Sequence, residues 1–172
     1  MEGNLIKAIG NDVKAGKGAT VNAVGGRTLM PDLIEGHGHL QLKGSRLADI
    51  ENIRNWEELA VRSTAMARYA LMSGFTSWRD AGGMAAGLQK SVNAGVVDGP
   101  RIVPSGGFIG PTGSHADFRN LTELNETFNG PQSSGARLSL TICADVVDAI
   151  KTPARQNFVQ GASQIKIMSP GD

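Results

Sequence analysis

The feature of this chain that most constrains its fold is a repeated alternation of short apolar segments with amphipathic ones. Strand-like runs begin near residues 33, 75, 101 and 163. Helical patterns lie between them, over 55–74, 85–94 and 146–159. Strand–helix–strand alternation produces parallel strands joined by right-handed crossovers. Because a closed eight-stranded barrel needs about 250 residues, the 172-residue chain predicts an α/β fold with about half of such a barrel.

Other segments of the chain depart from this alternation of strands and helices. Residues 5–9 and 19–24 are predicted to be short strands of a small β section that precedes the barrel-like part. Residues 106–138 are predicted to form a long, turn-rich loop, and loops of that length in compact domains are usually functional or disordered. Within the third helical pattern, Pro153 is expected to break or restart the helix, because proline removes a backbone hydrogen bond.

Charge and hydropathy exclude several classes of partner. Lys and Arg total 17 and Asp and Glu total 16, so the chain lacks the broad basic field of many nucleic-acid-binding proteins. No apolar run approaches the roughly 18 residues that a membrane helix needs, and the first residues lack a signal-peptide pattern. The single cysteine, Cys143, excludes an internal disulfide and fits a reducing compartment. We therefore expect a cytoplasmic protein that binds neither nucleic acid nor a membrane.

A pair of histidines at the end of the first barrel-like strand is the sharpest local feature. His37 and His39 are separated by Gly38, and residues i and i+2 of an extended chain point to the same side. Two imidazoles placed in this way can approach one metal ion at roughly 2.0–2.1 Å. The alternative is that the pattern occurs by chance. Its position favours metal binding, because barrel active sites lie at the carboxyl ends of the strands.

Lys166 is the second chemical feature, since it interrupts the apolar run of the fourth strand between Ile165 and Ile167. Lysine is rarely buried without a partner. If the two isoleucines face the outer helices, Lys166 faces the barrel interior, where it is either paired with an acid or converted to a carbamate that can bind metals. The alternative is a solvated lysine on an edge strand.

Other polar positions leave two interpretations open. Arg79 and Asp80 end the second strand, where they either bind substrate or form a structural ion pair, and we favour the ion pair. His115 either contacts substrate or metal, or is an exposed loop histidine. Cys143 has no neighbouring histidine or acid pattern to activate it, which predicts a small buried residue.

Together these segments resemble the amidohydrolase superfamily, in particular its branch of Xaa-Pro dipeptidases and imidazolonepropionase-like enzymes. Residues 26–40 are similar to the family's PGLID-x-HxH segment, and residues 74–83 resemble its GxTTxRDxGG segment. Residues 99–102, followed by 112–115, resemble its GPRI…TGGH segments. Residues 161–167 are similar to its GADxIKI strand. The four motifs occur in the family's order, which makes the resemblance more specific than any one of them alone.

The resemblance implies a (β/α)8 TIM barrel beside a small β-sandwich. On that basis, residues 1–30 are part of the sandwich, and residues 31–172 are the first four βα units of the barrel. Family members carry two further metal-binding histidines after strands five and six, and an aspartate after strand eight that serves as general acid and base. This chain ends after strand four, so we expect a fragment that lacks the general acid and base.

The resemblance also implies the chemistry of the site. His37 and His39 would bind one of two divalent ions, zinc in our prediction, and a carboxylated Lys166 would bridge both. His115 matches a loop histidine that helps to hold substrate. The implied reaction is hydrolysis of an amide bond, in a dipeptide or at the C-terminal residue of a peptide, by a hydroxide that the metals activate. The alternative is a half-barrel module without activity, which binds a ligand or pairs with a second copy to form a homo-oligomer.

Overall fold

The computed structural model describes residues 1–42, 55–83 and 85–169. The chain divides into two compact units, Met1–Pro31 and Asp32–Asp172.

The first unit contains no helix and no strand, only an isolated antiparallel bridge between Glu2 and Leu5. The predicted strands over 5–9 and 19–24 are therefore wrong. Their apolar residues are exposed, as Ile9 at 86% and Val21 at 73% show. Two short strands are marginal in water unless a third strand or a helix covers their apolar face, and this unit supplies neither.

The second unit is built around a parallel sheet of three strands. Strands β1 (Leu33–Gly38), β2 (Phe75–Asp80) and β3 (Arg101–Val103) lie side by side in that order. Helix α1 (Trp56–Met72) connects the first two, and helix α2 (Ala85–Asn93) connects the second and third. The predicted strand–helix alternation is confirmed in this part of the chain.

Helix α1 begins and ends where the sequence predicts. The side chain of Asn55 accepts a hydrogen bond from the backbone N–H of Glu58 at 2.9 Å, which satisfies one of the free donors at the helix start. Gly74 follows the helix with a φ of +95°, a conformation that glycine adopts at little cost. The apolar faces of α1 and α2 form the core together with one residue of β3 and one that follows β1: Leu40, Ala67, Ala70, Ala85, Leu88 and Ile102.

The edge strand β1 is less buried than its apolar start indicates. Leu33 and Ile34 are typical of a buried strand, yet Ile34 is 72% exposed and Leu33 is 38% exposed. The strand pairs with β2 on one side, and its place at the sheet edge leaves these side chains uncovered among the described residues.

The segment 106–138 contains more structure than the predicted loop. Strand β4 (Phe108–Gly110) pairs in parallel with β5 (Thr141–Cys143), and between them lie a 3-10 turn (Glu126–Phe128) and the short helix α3 (Ser134–Arg137). Strands of three residues are too short to show alternation in a sequence. The predicted strand over 162–168 is reduced to one parallel bridge, in which Ile167 pairs with Ile109.

Helix α4 (Val147–Gln160) contains Pro153 in its interior without a break, so the predicted interruption is wrong. Tertiary contacts offset the missing hydrogen bond. Asn157, buried on the C-terminal half of the helix, accepts from the N–H of Gly107 at 3.2 Å and donates to its carbonyl at 3.0 Å. Among the described residues, no helix has the length and apolar character needed to cross a bilayer.

Candidate functional site

The two histidines lie at the carboxyl end of β1, held by the neighbouring strand. Gly38 is paired with Asp80 of β2, and its carbonyl accepts a hydrogen bond from the N–H of Ala81 at 2.8 Å. The His37 and His39 rings are 5.5 Å apart between centroids, at an angle of 69°. The backbone between them is thus fixed by parallel pairing, and the two rings remain close neighbours.

Glycine is required between the two histidines for a steric reason. A Cβ atom at Gly38 would lie 2.2 Å from Cζ2 of Trp78 and 2.9 Å from Cγ of Glu35. The indole of Trp78 therefore occupies the space that any other side chain would need. This contact allows β1 to approach β2 closely where the histidines leave the strand.

Lys166 meets this pair from a distant part of the chain. Its Nζ lies 3.3 Å from Nε2 of His37, although 129 positions separate the two residues. The lysine is half-buried, and among the described residues no carboxylate forms a salt bridge with it. The structure thus brings together the three residues that the sequence predicted as metal ligands.

The surroundings of His39 favour its neutral form. Burial lowers the pKa of His39, and the nearby His37 and Lys166 lower it further. Nδ1 of His39 is buried and has no hydrogen-bond partner among the described residues. Neutral imidazole is the form that binds metals, and an amine beside an imidazole lacks a balancing negative charge. The donor set therefore fits a divalent cation, provided that Lys166 gives up its positive charge.

The site contains few metal-binding side chains. No group of three or more His, Cys, Asp or Glu residues that would suit a metal ion occurs within the described ranges. Two imidazoles and one lysine leave positions that other ligands must fill in a tetrahedral zinc site.

Asp80 is fully buried at the end of β2, directly beside the segment 37–40 that carries both histidines, called the histidine turn below. Its Oδ1 accepts a hydrogen bond from the N–H of Leu40 at 2.9 Å, while its Oδ2 has no partner among the described residues. Burial raises the pKa of the Asp80 carboxyl to about 7. The Asp80 side chain is therefore positioned by a backbone hydrogen bond and by packing, and among the described residues no cationic side chain pairs with it.

The favoured ion pair between Arg79 and Asp80 is wrong. Successive residues of a strand point to opposite faces, so Arg79 is exposed while Asp80 is buried. Arg79 instead donates from Nε to the carbonyl of Gly36 at 2.6 Å. Both side chains therefore bind the backbone around the end of β1, from opposite sides of β2.

His115 is exposed on a loop that follows β4, and a series of rings connects it with the histidine pair. The ring of His115 lies 6.2 Å from that of Phe118, which lies 6.2 Å from Phe108. Phe108 in turn lies 5.6 Å from His39. In the described part of the chain, His115 makes no ring contact and no hydrogen bond with His37, His39 or Lys166.

Two carboxylates hold the loop that carries His115, and sequence reasoning missed both. Asp145 accepts from the N–H of Thr112 at 2.6 Å and from its hydroxyl at 2.7 Å. Asp117 accepts from the N–H of Gly113 at 2.8 Å and pairs with the guanidinium of Arg119. The hydrogen bond from Arg119 lowers the pKa of Asp117 to about 2. Asx-type bonds of this kind are common in loops, and no spacing in the sequence singles these two residues out.

Cys143 is exposed, which corrects its prediction as a buried residue. It lies at the end of β5, beside an open groove of about 840 Å³ that α4 and the 3-10 turn also line. The groove leaves the side chain uncovered. Partial desolvation and the nearby Asp117 raise the pKa of the thiol to about 11, so the thiol is not an activated nucleophile.

Comparison with known proteins adds independent information. No family model matches the sequence. Over 106 residues, 59% of this chain, the sequence is 29% identical to the ochratoxinase of Aspergillus niger, and the match covers 22% of that protein. The structure resembles a prolidase in complex with N-methylphosphonate-L-proline, with a TM-score of 0.70 and 34% identity over 80% of this chain and 33% of the prolidase.

Two further solved structures are similar. An amidohydrolase matches with a TM-score of 0.76 and 32% identity, over 91% of this chain and 38% of the amidohydrolase. A Xaa-Pro dipeptidase with methionine bound in its active site matches with a TM-score of 0.64 and 28% identity, over 80% of this chain and 33% of the dipeptidase. The chain thus spans 33–38% of these solved chains. Its mixed α/β fold and its sequence relate it to hydrolytic enzymes of the amidohydrolase family.

Proposed function

We propose that this chain forms the first four strands of a TIM barrel whose active site hydrolyses amide bonds with the help of divalent metal ions. The observation that carries the proposal is the approach of Lys166 to His37 at 3.3 Å, beside His39. The likeness to a prolidase, a Xaa-Pro dipeptidase and an ochratoxinase supports the reaction class.

In this proposal His37 and His39 would hold one of two zinc ions, and Lys166, once carboxylated, would supply oxygen ligands to the site. The carbamate forms when the neutral Nζ of Lys166 adds to the carbon of CO₂ and a proton is released. This change replaces the positive charge of Lys166, which no described carboxylate balances, with a negative charge. When bound, such ions supply Lewis acidity toward an amide carbonyl and lower the pKa of water.

The substrate class that we propose is a dipeptide, or a peptide or N-acyl amino acid with a free C-terminal carboxylate. His115 would contact this substrate from its loop, since the ring series through Phe118 and Phe108 extends from His39 toward it. The near-balance of 17 basic and 16 acidic residues favours a small substrate over nucleic acid. We propose the cytoplasm as the compartment.

The test of this function is an amide hydrolysis assay with Zn²⁺ and bicarbonate. It uses the longest reading frame that contains this sequence, with the 172-residue chain beside it. We expect Lys166→Ala to abolish the release of amino acid from Xaa-Pro dipeptides, with partial rescue by added short-chain carboxylic acids. A fully active Lys166→Ala variant would contradict the role of Lys166, and a wild-type protein inactive on every amide would contradict the function.

A homo-oligomer is a second candidate, and exposed apolar residues favour it. Ile34 on the edge strand β1 is 72% exposed, and Val159 on α4 is 80% exposed. An open edge of a parallel sheet with uncovered apolar side chains is suited to pairing with another chain. The mass of the chain in solution tests this candidate, since a monomer over the micromolar range contradicts it.

A further inference from the structure

We propose that Asp80 and Gln164 are positioning residues, which hold His37, His39 and Lys166 at one point and thereby set the metal affinity of the site. The inference rests on the proposed function, because it assumes that these three residues bind a metal ion. It concerns two residues that make no bond to the predicted ligands' side chains and instead bind the backbone around them.

Asp80 holds the histidine turn from its C-terminal side. Its Oδ1 accepts from the N–H of Leu40, the residue after His39, at 2.9 Å. Ala81, which follows Asp80 in the chain, donates its N–H to the carbonyl of Gly38 at 2.8 Å. These two bonds bracket His39, so its backbone cannot rotate without breaking one of them.

Gln164 connects the same point to the segment that carries Lys166. Its Nε2 lies 3.3 Å from the carbonyl of Asp80 and 3.0 Å from the carbonyl of Val103, so it joins the ends of β2 and β3. Two residues later, the carbonyl of Lys166 accepts from the N–H of Ile109 at 3.0 Å. The lysine is therefore fixed on one side by β4 and on the other through Gln164.

Asp80 is thus the shared element of both arms. Its carboxylate binds the histidine turn, its carbonyl binds the amide of Gln164, and its side chain is 0% exposed. Its Oδ2 lacks a hydrogen-bond partner among the described residues, although burial of an unpartnered polar atom is unfavourable for folding. Such exceptions in a native structure call for a functional or structural cause, and groups around a metal's ligands commonly orient them.

The experiment measures Zn²⁺ affinity by competition with a chelator, together with unfolding by denaturant, on the full chain. We expect Asp80→Ala and Gln164→Ala to weaken Zn²⁺ binding by about 10- to 100-fold, the usual effect of losing a group that orients metal ligands. Asp80→Asn keeps an acceptor for the N–H of Leu40, so it should retain affinity within a few-fold of wild type.

The matched control is Asn157→Ala. It removes a buried side chain that clamps the backbone of Gly107 in the same way, on a helix that carries no predicted ligand. It should lower stability without changing Zn²⁺ affinity. Gln164 is only half-buried, so Gln164→Ala keeps the test available if Asp80→Ala fails to fold.

A second measurement separates this inference from the proposed function. The chain has three histidines. The ring resonances that His115→Ala removes from the NMR spectrum belong to His115, and those that remain belong to His37 and His39. We expect Gln164→Ala and Asp80→Ala to shift the His37 and His39 resonances, and Asn157→Ala to leave them in place. A wild-type chain without Zn²⁺ binding contradicts the function alone, and the resonances then decide the positioning. Unmoved resonances, or Asp80→Asn as weak as Asp80→Ala, overturn the inference.

Discussion

The two segments that carry histidines, the 37–40 turn and the 111–118 loop, are held in similar ways but in different surroundings. In each, a carboxylate accepts a backbone N–H: Asp80 binds Leu40, and Asp145 binds Thr112. The turn is packed beside a parallel sheet, and Asp80 is fully buried. The loop lies at the surface, and its second carboxylate, Asp117, is paired with Arg119.

Asp80 in the turn and Asp117 in the loop have different surroundings, and their pKa values are shifted in opposite directions. Burial raises the pKa of Asp80 to about 7, whereas the bond from Arg119 lowers that of Asp117 to about 2. The turn is therefore governed by packing and steric fit, and the loop by charge. Substitutions that change volume should damage the turn, and substitutions or pH changes that alter charge should affect the loop.

The largest effect is expected for Gly82→Ala, next to the histidine turn. Gly82 has a φ of +149°, and a Cβ atom there would lie 1.5 Å from Cε1 of the buried Phe108. Because the added Cβ would overlap a buried ring and the backbone has a positive φ, we expect a loss of about 3 kcal/mol or more in the free energy of unfolding, the range of severe overpacking with backbone strain. Denaturant unfolding measures this loss.

Gly87→Ala is the matched control for that substitution. Gly87 is exposed on α2, and nothing lies within 4 Å of an added Cβ atom. Since alanine is the better helix former, we expect a gain of roughly 0.5–1 kcal/mol. Equal stability of the two variants would show that packing does not govern the turn.

A smaller effect is expected from acid on the loop. Asp117 has a pKa of about 2 in the folded chain and an ordinary value of 3.8, so it stabilises the fold above pH 4. With allowance for solvent screening, this contribution is on the order of 1 kcal/mol, and it is lost as the pH falls from about 4 through about 2. Asp117→Asn should remove it, so that the variant loses less stability than wild type between pH 5 and pH 2.

The control for the acid experiment is Asp148→Asn. Asp148 pairs with Lys151 at 2.7 Å, but its side chain is 87% exposed, and surface ion pairs contribute little. We expect Asp148→Asn to keep the pH dependence of wild type. If Asp117→Asn also keeps it, charge does not hold the loop in the way that its geometry indicates.

The smallest effect concerns the reactivity of Cys143, which adjoins the charged loop. The thiol is exposed, yet its pKa is raised to about 11. At pH 8 its alkylation by iodoacetamide should be roughly tenfold slower than in the denatured chain, because the scarcity of thiolate outweighs the higher nucleophilicity of a more basic thiolate. Asp117→Asn should speed the reaction, which mass spectrometry can follow. Equal rates in native and denatured chain would contradict the raised pKa.

Local signals made much of the fold predictable. The Asn55 cap and the glycine at 74 defined α1 from neighbouring residues alone, and both bounds are confirmed. The approach of Lys166 to His37 was predictable too, because barrel active sites gather residues from the carboxyl ends of several strands. These predictions needed only short-range pattern and a general rule of topology.

The remainder depended on contacts that no local pattern records. Strands β4 and β5 have three residues each, and they form because Phe108 and Thr141 meet across 33 positions of chain. Asp80 is bonded to the backbone of Leu40, 40 residues away in the chain. Because no local pattern records this contact, the neighbouring Arg79 was the partner that the sequence favoured. The strands expected over 5–9 and 19–24 lacked any surface to cover them.

The most direct test of the central claim is the zinc content of the chain, measured by elemental analysis after dialysis against Zn²⁺. The account predicts that wild type and His115→Ala retain zinc in the same ratio, because His115 lies on the loop and not in the turn. It predicts that His37→Ala loses zinc, since Nε2 of His37 is the atom that Lys166 approaches. An unchanged ratio of zinc to protein in His37→Ala would contradict a metal site at this point.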